Sequence, residues 1–351
     1  MSIKYVALFP GQGSQHVGMA KDLLENFKIA RETFEEASDA ARLNIRDLCL
    51  NGPDADLTLT ENTQPCLLTA SVAAFRVAKH ELGFTPSIVA GHSLGEYSAL
   101  VAAGAIPLGT AAAWVRERGR AMQVAVPAGQ GTMAAVLGME DSQISKLCEA
   151  ATAAAKAKRA QGENEELTVE AIVEPANFNA PGQIVIAGST DAVAEAVALI
   201  KAGGDFAGGK AIPLSVSAPF HCKLMRGARD KMADIFSSTT VKVHAPLCAY
   251  VPNRTARITQ EAGVVFELLV EQVDNPVLWK QSMTGLLEQN YLAYAEFGPG
   301  KVLSGLMKRI GQPVGKTATT SNISDSATLK LFDAAMKLAE KAASEKGTAH
   351  V

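Results

Sequence analysis

The sequence predicts an α/β protein built on a parallel sheet, interrupted by a smaller α+β unit. Three observations carry this expectation. The first 125 residues alternate short apolar runs with longer helical patterns, the rhythm changes at Gly131, and a glycine-flanked serine stands where an apolar strand meets a helix. Tyr5–Phe9 reads as the first strand. Gln64–Leu82 reads as an apolar-rich helix behind a turn at Asn62-Thr63-Gln64-Pro65, and Ser87–Ala90 as a second strand feeding another helix. Such alternation places parallel strands in one sheet with helices on both faces.

From Gly131 onward the pattern is strand Thr132–Gly138, helix Asp141–Lys156, strands Leu167–Glu174 and Gln183–Ala187, helix Thr190–Ala202 and strand Ala211–Ser217. The order β-α-β-β-α-β is that of a ferredoxin-like unit. The expected division is a large domain over 1–127 and 207–351 with a small subdomain over 128–206. Ala151–Glu166 reads as a helix end running into an exposed loop, and the polar tail Ala342–Val351 as frayed.

The 351 residues can bury a large core without disulfides. With 33 basic and 36 acidic residues and a formal net charge of -3, the chain lacks the basic field by which nucleic-acid binders collect phosphates. Cys49, Cys66, Cys148, Cys222 and Cys248 have no CxxC spacing and are odd in number, which suits free thiols in a reducing compartment and gives no metal cluster. The amino terminus has no signal-type hydrophobic region, so a cytoplasmic protein is expected. Tyr97–Val115 is free of charge, but Gly104, Pro107 and Gly109 interrupt it; two buried helices joined by a turn explain it better than a membrane span.

Gly91-His92-Ser93-Leu94-Gly95 fits G-x-S-x-G in the strand-turn-helix context that this pattern requires. A serine at so sharp a bend has its hydroxyl exposed, the flanking glycines remove side chains that would clash, and the helix amino terminus favours developing negative charge. Ser93 is the candidate nucleophile, against the plainer reading of a structural turn. A base is needed beside it. His221, in Ser217-Ala218-Pro219-Phe220-His221 after an expected strand, is the best candidate; His92 is the rival, but its ring should point away from the neighbouring hydroxyl. The loop Pro10-Gly11-Gln12-Gly13-Ser14-Gln15 follows the first strand, at the carboxyl edge where ligand sites gather. It matches neither the P-loop nor the full G-x-G-x-x-G pattern.

These pieces together resemble the acyltransferase family of fatty acid and polyketide synthesis. The resemblance covers nearly the whole chain: Phe9–Gln15, Gly91–Tyr97, Arg118-Gly119 with Met122, Asn177–Gln183, Phe220-His221, and Gln272 with Asn275-Pro276, in that order. It implies a Ser-His dyad on a hydrolase-like α/β core with a parallel sheet, a ferredoxin-like α+β subdomain roofing the cleft, and no cofactor or metal. Carried over by position, Ser93 would be the nucleophile, His221 the base, and the Gln12 and Leu94 backbone N–H groups the oxyanion hole. Arg118 would grip a free carboxylate on the acyl group, with Gln272, Phe220 and Met122 also lining the substrate site and Asn179 and Asn275 supporting it. A guanidinium suits a carboxylate because it offers a planar pair of donors. The residues alone do not choose among Arg116, Arg118 and Arg120. In the family a main-chain carbonyl near Gln272 orients the histidine, so no triad carboxylate is expected. Leu94 and Phe220 are what malonyl-selective members tend to show. Lys156–Glu166 departs from the family pattern as a longer segment.

The implied reaction passes a malonyl group from malonyl-CoA to the phosphopantetheine thiol of acyl carrier protein through a malonyl-serine ester. Service in fatty acid synthesis is expected first and a polyketide pathway second, by a monomer with neither nucleic acid nor membrane as partner. A serine esterase or thioesterase would place an acidic residue and then a histidine late in the chain; after His221 only His244 and His350 remain. A catalytically silent docking module for carrier proteins would not need Ser93, His221 and Arg118 together.

Overall fold

The computed structural model describes residues 3–216 and 218–348. In chain order its strands are β1 (Tyr5–Phe9), β2 (Ile88–Gly91), β3 (Gly131–Leu137), β4 (Val173–Ala180), β5 (Gln183–Ser189), β6 (Lys210–Pro213), β7 (Ala249–Val251), β8 (Ala293–Phe297) and β9 (Thr319–Ile323). One sheet runs β7-β2-β1-β8-β9 with every neighbouring pair parallel; the other runs β4-β5-β3-β6 and is antiparallel. This is the expected α/β architecture with a parallel core and a separate α+β unit.

The central strands β1 and β2 are short unbroken apolar runs because both of their faces are covered. Val6 and Leu8 of β1 pack with Ile88, Ala90 and Trp279 on one side, while Ala7 and Phe9 pack with Val89 and the Thr60–Leu82 helix on the other. Register then builds the site: Phe9 lies opposite Gly91 and Ala90 opposite Val251, so the loops leaving β1, β2 and β7 emerge side by side at one carboxyl edge. Tyr97–Val115 becomes the two buried helices expected, Gly95–Ala102 and Leu108–Val124. Among the described residues no helix is long and apolar enough to cross a membrane.

Several local expectations are corrected. Asn62–Pro65 is not a turn but lies inside the helix Thr60–Leu82. Pro65 removes one intrahelical donor, yet the first turn is tied to the preceding segment by Thr63 Oγ1 donating to Leu57 O at 2.5 Å and Asn62 Nδ2 to Asp56 O at 2.9 Å. The strand expected over Leu167–Glu174 lies at Val173–Ala180, with register shifts between Pro175 and Asn177 and between Phe178 and Ala180. Proline and asparagines are poor strand formers; here they are kept because Asn177 and Asn179 face the cleft and its neighbour His92. The last strand of the small sheet is Lys210–Pro213, which pairs with β3 and carries that sheet past the expected boundary at 206. The strand expected to end at Ser217 stops earlier, and Ser217 itself lies outside the described residues. Asp141 begins a helix that continues to Ala160, where Arg159 ties its end to Asp191 at 2.7 Å; an exposed turn follows. The tail expected to fray is helical as far as Thr348; His350 lies outside the described residues.

One close approach positions the arginine of the cleft. A Cβ added to Gly119 would stand 2.6 Å from both Glu61 Cα and Thr60 O, so the Leu108–Val124 helix crosses the start of the Thr60–Leu82 helix backbone to backbone. Gly119→Ala must push these helices apart, and a loss of about 1–3 kcal/mol of stability is expected from urea unfolding. Gly285→Ala, in a helix with open space at that point, should instead gain up to about 1 kcal/mol. Equal midpoints for the two variants would contradict the close crossing.

Candidate active site

Ser93 sits between β2 and the helix Gly95–Ala102 with φ +54°, a left-handed conformation that a non-glycine residue adopts only at a cost of about 1–2 kcal/mol. Its neighbours explain how the bend closes. A Cβ on Gly91 would overlap the Gly95 carbonyl, and one on Gly95 would overlap the Phe9 carbonyl. The elbow is also stapled from β7: Asn253 Oδ1 accepts from Ser93 N at 2.6 Å while Asn253 Nδ2 donates to Gly91 O at 2.6 Å.

The Ser93 hydroxyl meets His221 Nε2 at 2.7 Å. His221 also has a left-handed backbone, φ +61°, and is buried. The segment carrying it is pinned to the small sheet, since Lys223 N donates to Glu174 Oε2 at 2.8 Å and Pro219 packs against Gly131. Its other ring nitrogen, Nδ1, donates to the backbone carbonyl of Gln272 at 2.9 Å. Gln272 lies in the last turn of the helix Val265–Asp274, where carbonyls have no intrahelical partner and are free to accept. This carbonyl orients the imidazole as an acidic residue does in a triad. Burial, with the nearby Arg118 charge adding to it, pushes the His221 imidazolium down to about 3, so the ring is neutral at ordinary pH and can take a proton from Ser93. His92 points elsewhere, its Nε2 on Asn179 Oδ1 at 2.8 Å and its ring against Trp279.

Arg118 is 1% exposed. Its Nη1 donates to Gln64 Oε1 at 2.8 Å and its Nη2 to Gln272 Oε1 at 2.9 Å and to Ser93 Oγ at 3.2 Å, with the Tyr97 ring 5.8 Å away. Its two neighbours on the helix are spent on other work. Arg116 Nη1 holds the Arg42 carbonyl at 2.9 Å, and the exposed Arg120 pairs with Glu61 and Glu117. Around the dyad is a cavity of about 330 Å³ whose wall includes Gln12, Leu94, Met122 and Phe220 as well as Ser93, Arg118 and His221. The backbone N–H groups of Gln12 and Leu94 are not engaged by any other group among the described residues.

Of the residues expected from the sequence, Gln272 is displaced from the cavity wall; its place is behind Arg118, where its side chain holds the guanidinium and its carbonyl the histidine. Asn179 holds His92, and Asn275 Nδ2 binds Glu271 O and Asp274 Oδ1, with its backbone facing His221. Gln64, Asn253 and Glu96 were not anticipated. Glu96, 1% exposed, accepts from Asn253 N at 3.0 Å and Gln272 Nε2 at 2.7 Å, and burial raises its carboxyl to about 7. Its signals in the sequence are its place in the block Gly91–Tyr97 and its being a lone acid directly before the uncharged run that starts at Tyr97.

A serine, a neutral imidazole, two free N–H groups and a cation in one cleft can form and break an acyl ester. The acyl transferase domain family matches residues 6–329. The malonyl CoA-acyl carrier protein transacylase of Escherichia coli strain K12 is 42% identical over 328 residues, 93% of this chain and 99% of the relative. An acyl carrier protein S-malonyltransferase from Vibrio cholerae superposes with a TM-score of 0.83 at 40% identity, covering 94% of this chain and 99% of that one. A malonyl-transacylase solved in complex with its type II PKS acyl-carrier protein gives a TM-score of 0.82 at 41% identity, over 93% and 97% of the two chains. With matches that span the parallel core, the small sheet and both halves of the Ser93–His221 pair, the chain belongs to the acyl transferase domain family and is an acyltransferase.

Proposed function

We propose that this enzyme transfers a malonyl group from malonyl-CoA to the phosphopantetheine thiol of acyl carrier protein, supplying extender units for fatty acid or polyketide synthesis. The observation that carries the choice of acyl group is Arg118, a buried cation 3.2 Å from the Ser93 hydroxyl whose hydrogen-bond partners among the described residues are all uncharged oxygens. A free carboxylate on the acyl chain is the partner that such a site lacks. The names of the relatives point to the same substrates.

In this reading His221 Nε2 takes the Ser93 proton as Oγ attacks the thioester carbon. The tetrahedral oxyanion is held by the Gln12 and Leu94 N–H groups, and its collapse expels the coenzyme A thiolate, which takes the proton from His221. The carrier thiol then enters, gives its proton to His221 and attacks the malonyl-serine ester; as that ester breaks, the proton returns to Ser93 Oγ. Met122 and Phe220 narrow the cavity beside Arg118, with Asn179 and Asn275 supporting the walls. A hydrolase reading is disfavoured because His221 Nδ1 rests on a carbonyl and not on a carboxylate. The large domain comprises 1–127 and 207–351 and the small one 128–206, to which β6 adds its strand.

Ser93→Ala should abolish acyl-enzyme formation, read as the mass of the intact protein after malonyl-CoA, and His221→Ala should slow transfer about a hundredfold or more. A larger loss from His92→Ala would assign the wrong base. Arg118→Ala should lower malonyl transfer by about 2–5 kcal/mol, roughly thirty-fold to several thousand-fold, while acetyl transfer holds or improves. Equal losses for the two acyl groups would remove the diacid selection.

The pH dependence follows from the depressed imidazole. The base is active when neutral, so kcat/KM should stay level as pH falls past 6.5, its acid limb lying toward the value of about 3 for His221. In the complex the malonyl carboxylate offsets the Arg118 charge that helps to depress His221. The acid limb of kcat should therefore lie above that of kcat/KM. Coincident limbs would show that the carboxylate does not reach Arg118.

A further inference from the structure

Resting on the acyl-transfer reading, the geometry points to Glu96 as a positioning residue for acyl selection: its buried carboxylate orients the Gln272 amide, and through it the Arg118 guanidinium, to receive a carboxylated acyl chain. The orientation of Gln272 is settled by the chemistry of its neighbours. Its Nε2 faces the Ser93 carbonyl at 2.9 Å, which can only accept, and Glu96 Oε2 at 2.7 Å; its Oε1 faces a group that only donates, Arg118 Nη2 at 2.9 Å. If Glu96 ceased to accept, one of the three bonds holding the amide would be lost, and a turned amide would present N–H groups to the guanidinium.

Glu96 is itself held from the elbow. The oxygen that accepts from Gln272, Oε2, also accepts from Asn253 N at 3.0 Å, and Asn253 clasps Ser93 N and Gly91 O. One carboxylate oxygen thus connects the strained nucleophile to the arginine, while Glu96 Oε1 is buried with no hydrogen-bond partner among the described residues. This asymmetry supplies the test. Glu96→Gln can keep its oxygen where Oε2 stands, retaining both bonds and losing the charge. Glu96→Asp keeps the charge but withdraws the oxygens by about 1.5 Å, one carbon–carbon bond.

Steady-state kinetics of the full chain with malonyl-CoA and acetyl-CoA, on variants shown by thermal melting to be folded, separate the two. Glu96→Gln should keep the malonyl-to-acetyl ratio of kcat/KM within about threefold of wild type. Glu96→Asp should lower that ratio roughly tenfold to a hundredfold, the range expected for loss of the Gln272 bond in a charged network, chiefly through the KM for malonyl-CoA, while loss of the Asn253 bond weighs on both substrates alike. Should E96D fail to fold, E96M fills a similar volume without an acceptor and carries the same expectation. The inference is overturned if the ratio follows charge, collapsing in E96Q and surviving in E96D, or if E96D or E96M loses both substrates equally. A wild type with no preference for malonyl sinks the malonyl-selective reading on which this inference rests; a preference that persists in E96D or E96M sinks only the role of Glu96.

Discussion

The arrangement of the cleft depends on one electrostatic constraint, the Arg118 guanidinium kept almost wholly out of water without a direct ion pair among the described residues. Removing a cation from water costs several kcal/mol unless it is hydrogen-bonded and charge-compensated. Here Gln64 and Gln272 supply oxygens, the Tyr97 ring lies 5.8 Å away, and Glu96, when ionised, contributes opposite charge at longer range. The compensation is incomplete, and burial together with the positive charge depresses His221. A carboxylate arriving with the acyl group completes it. On the proposed function, selectivity and the protonation state of the base are two consequences of the same buried charge.

That constraint is met by parts from distant points of the chain, brought together by the sheet. The registers of β1, β2 and β7 deliver Gln12, Ser93 and Asn253 to one edge, the crossing at Gly119 delivers Arg118 beside Gln64, and a helix carboxyl end delivers the Gln272 carbonyl. Left-handed backbone at both Ser93 and His221 is strain that these surroundings hold in place. The small sheet contributes through β3 and β4, which anchor the segment of His221 and, through Asn179, the ring of His92.

What could be read from the sequence was what is encoded locally. Ser93 was legible because glycine, serine and glycine at a strand-helix junction carry their meaning within five residues, and the β-α-β-β-α-β order because each element has its own periodicity. Arg118 was not separable from Arg116 and Arg120 by periodicity, since exposure and partners distinguish them only in three dimensions; family resemblance made that choice. Gln64 was hidden because Pro65 suggested a turn, where tertiary bonds hold a helix. The β4 strand was displaced because its asparagines serve the cleft at the expense of strand propensity. Asn253 and Glu96 act across more than 150 residues of sequence separation on Ser93 and Gln272, and no local pattern announces such contacts.

On the proposed function, a buried cation awaiting a carboxylate decides what Ser93 carries. The most direct test is competition: the protein is exposed briefly to equal concentrations of malonyl-CoA and acetyl-CoA, and the acyl group on Ser93 is identified by intact mass and peptide mapping. Malonyl on Ser93 is the expected dominant adduct. Acetyl in equal or greater amount, or a malonyl adduct on any other residue, would contradict it.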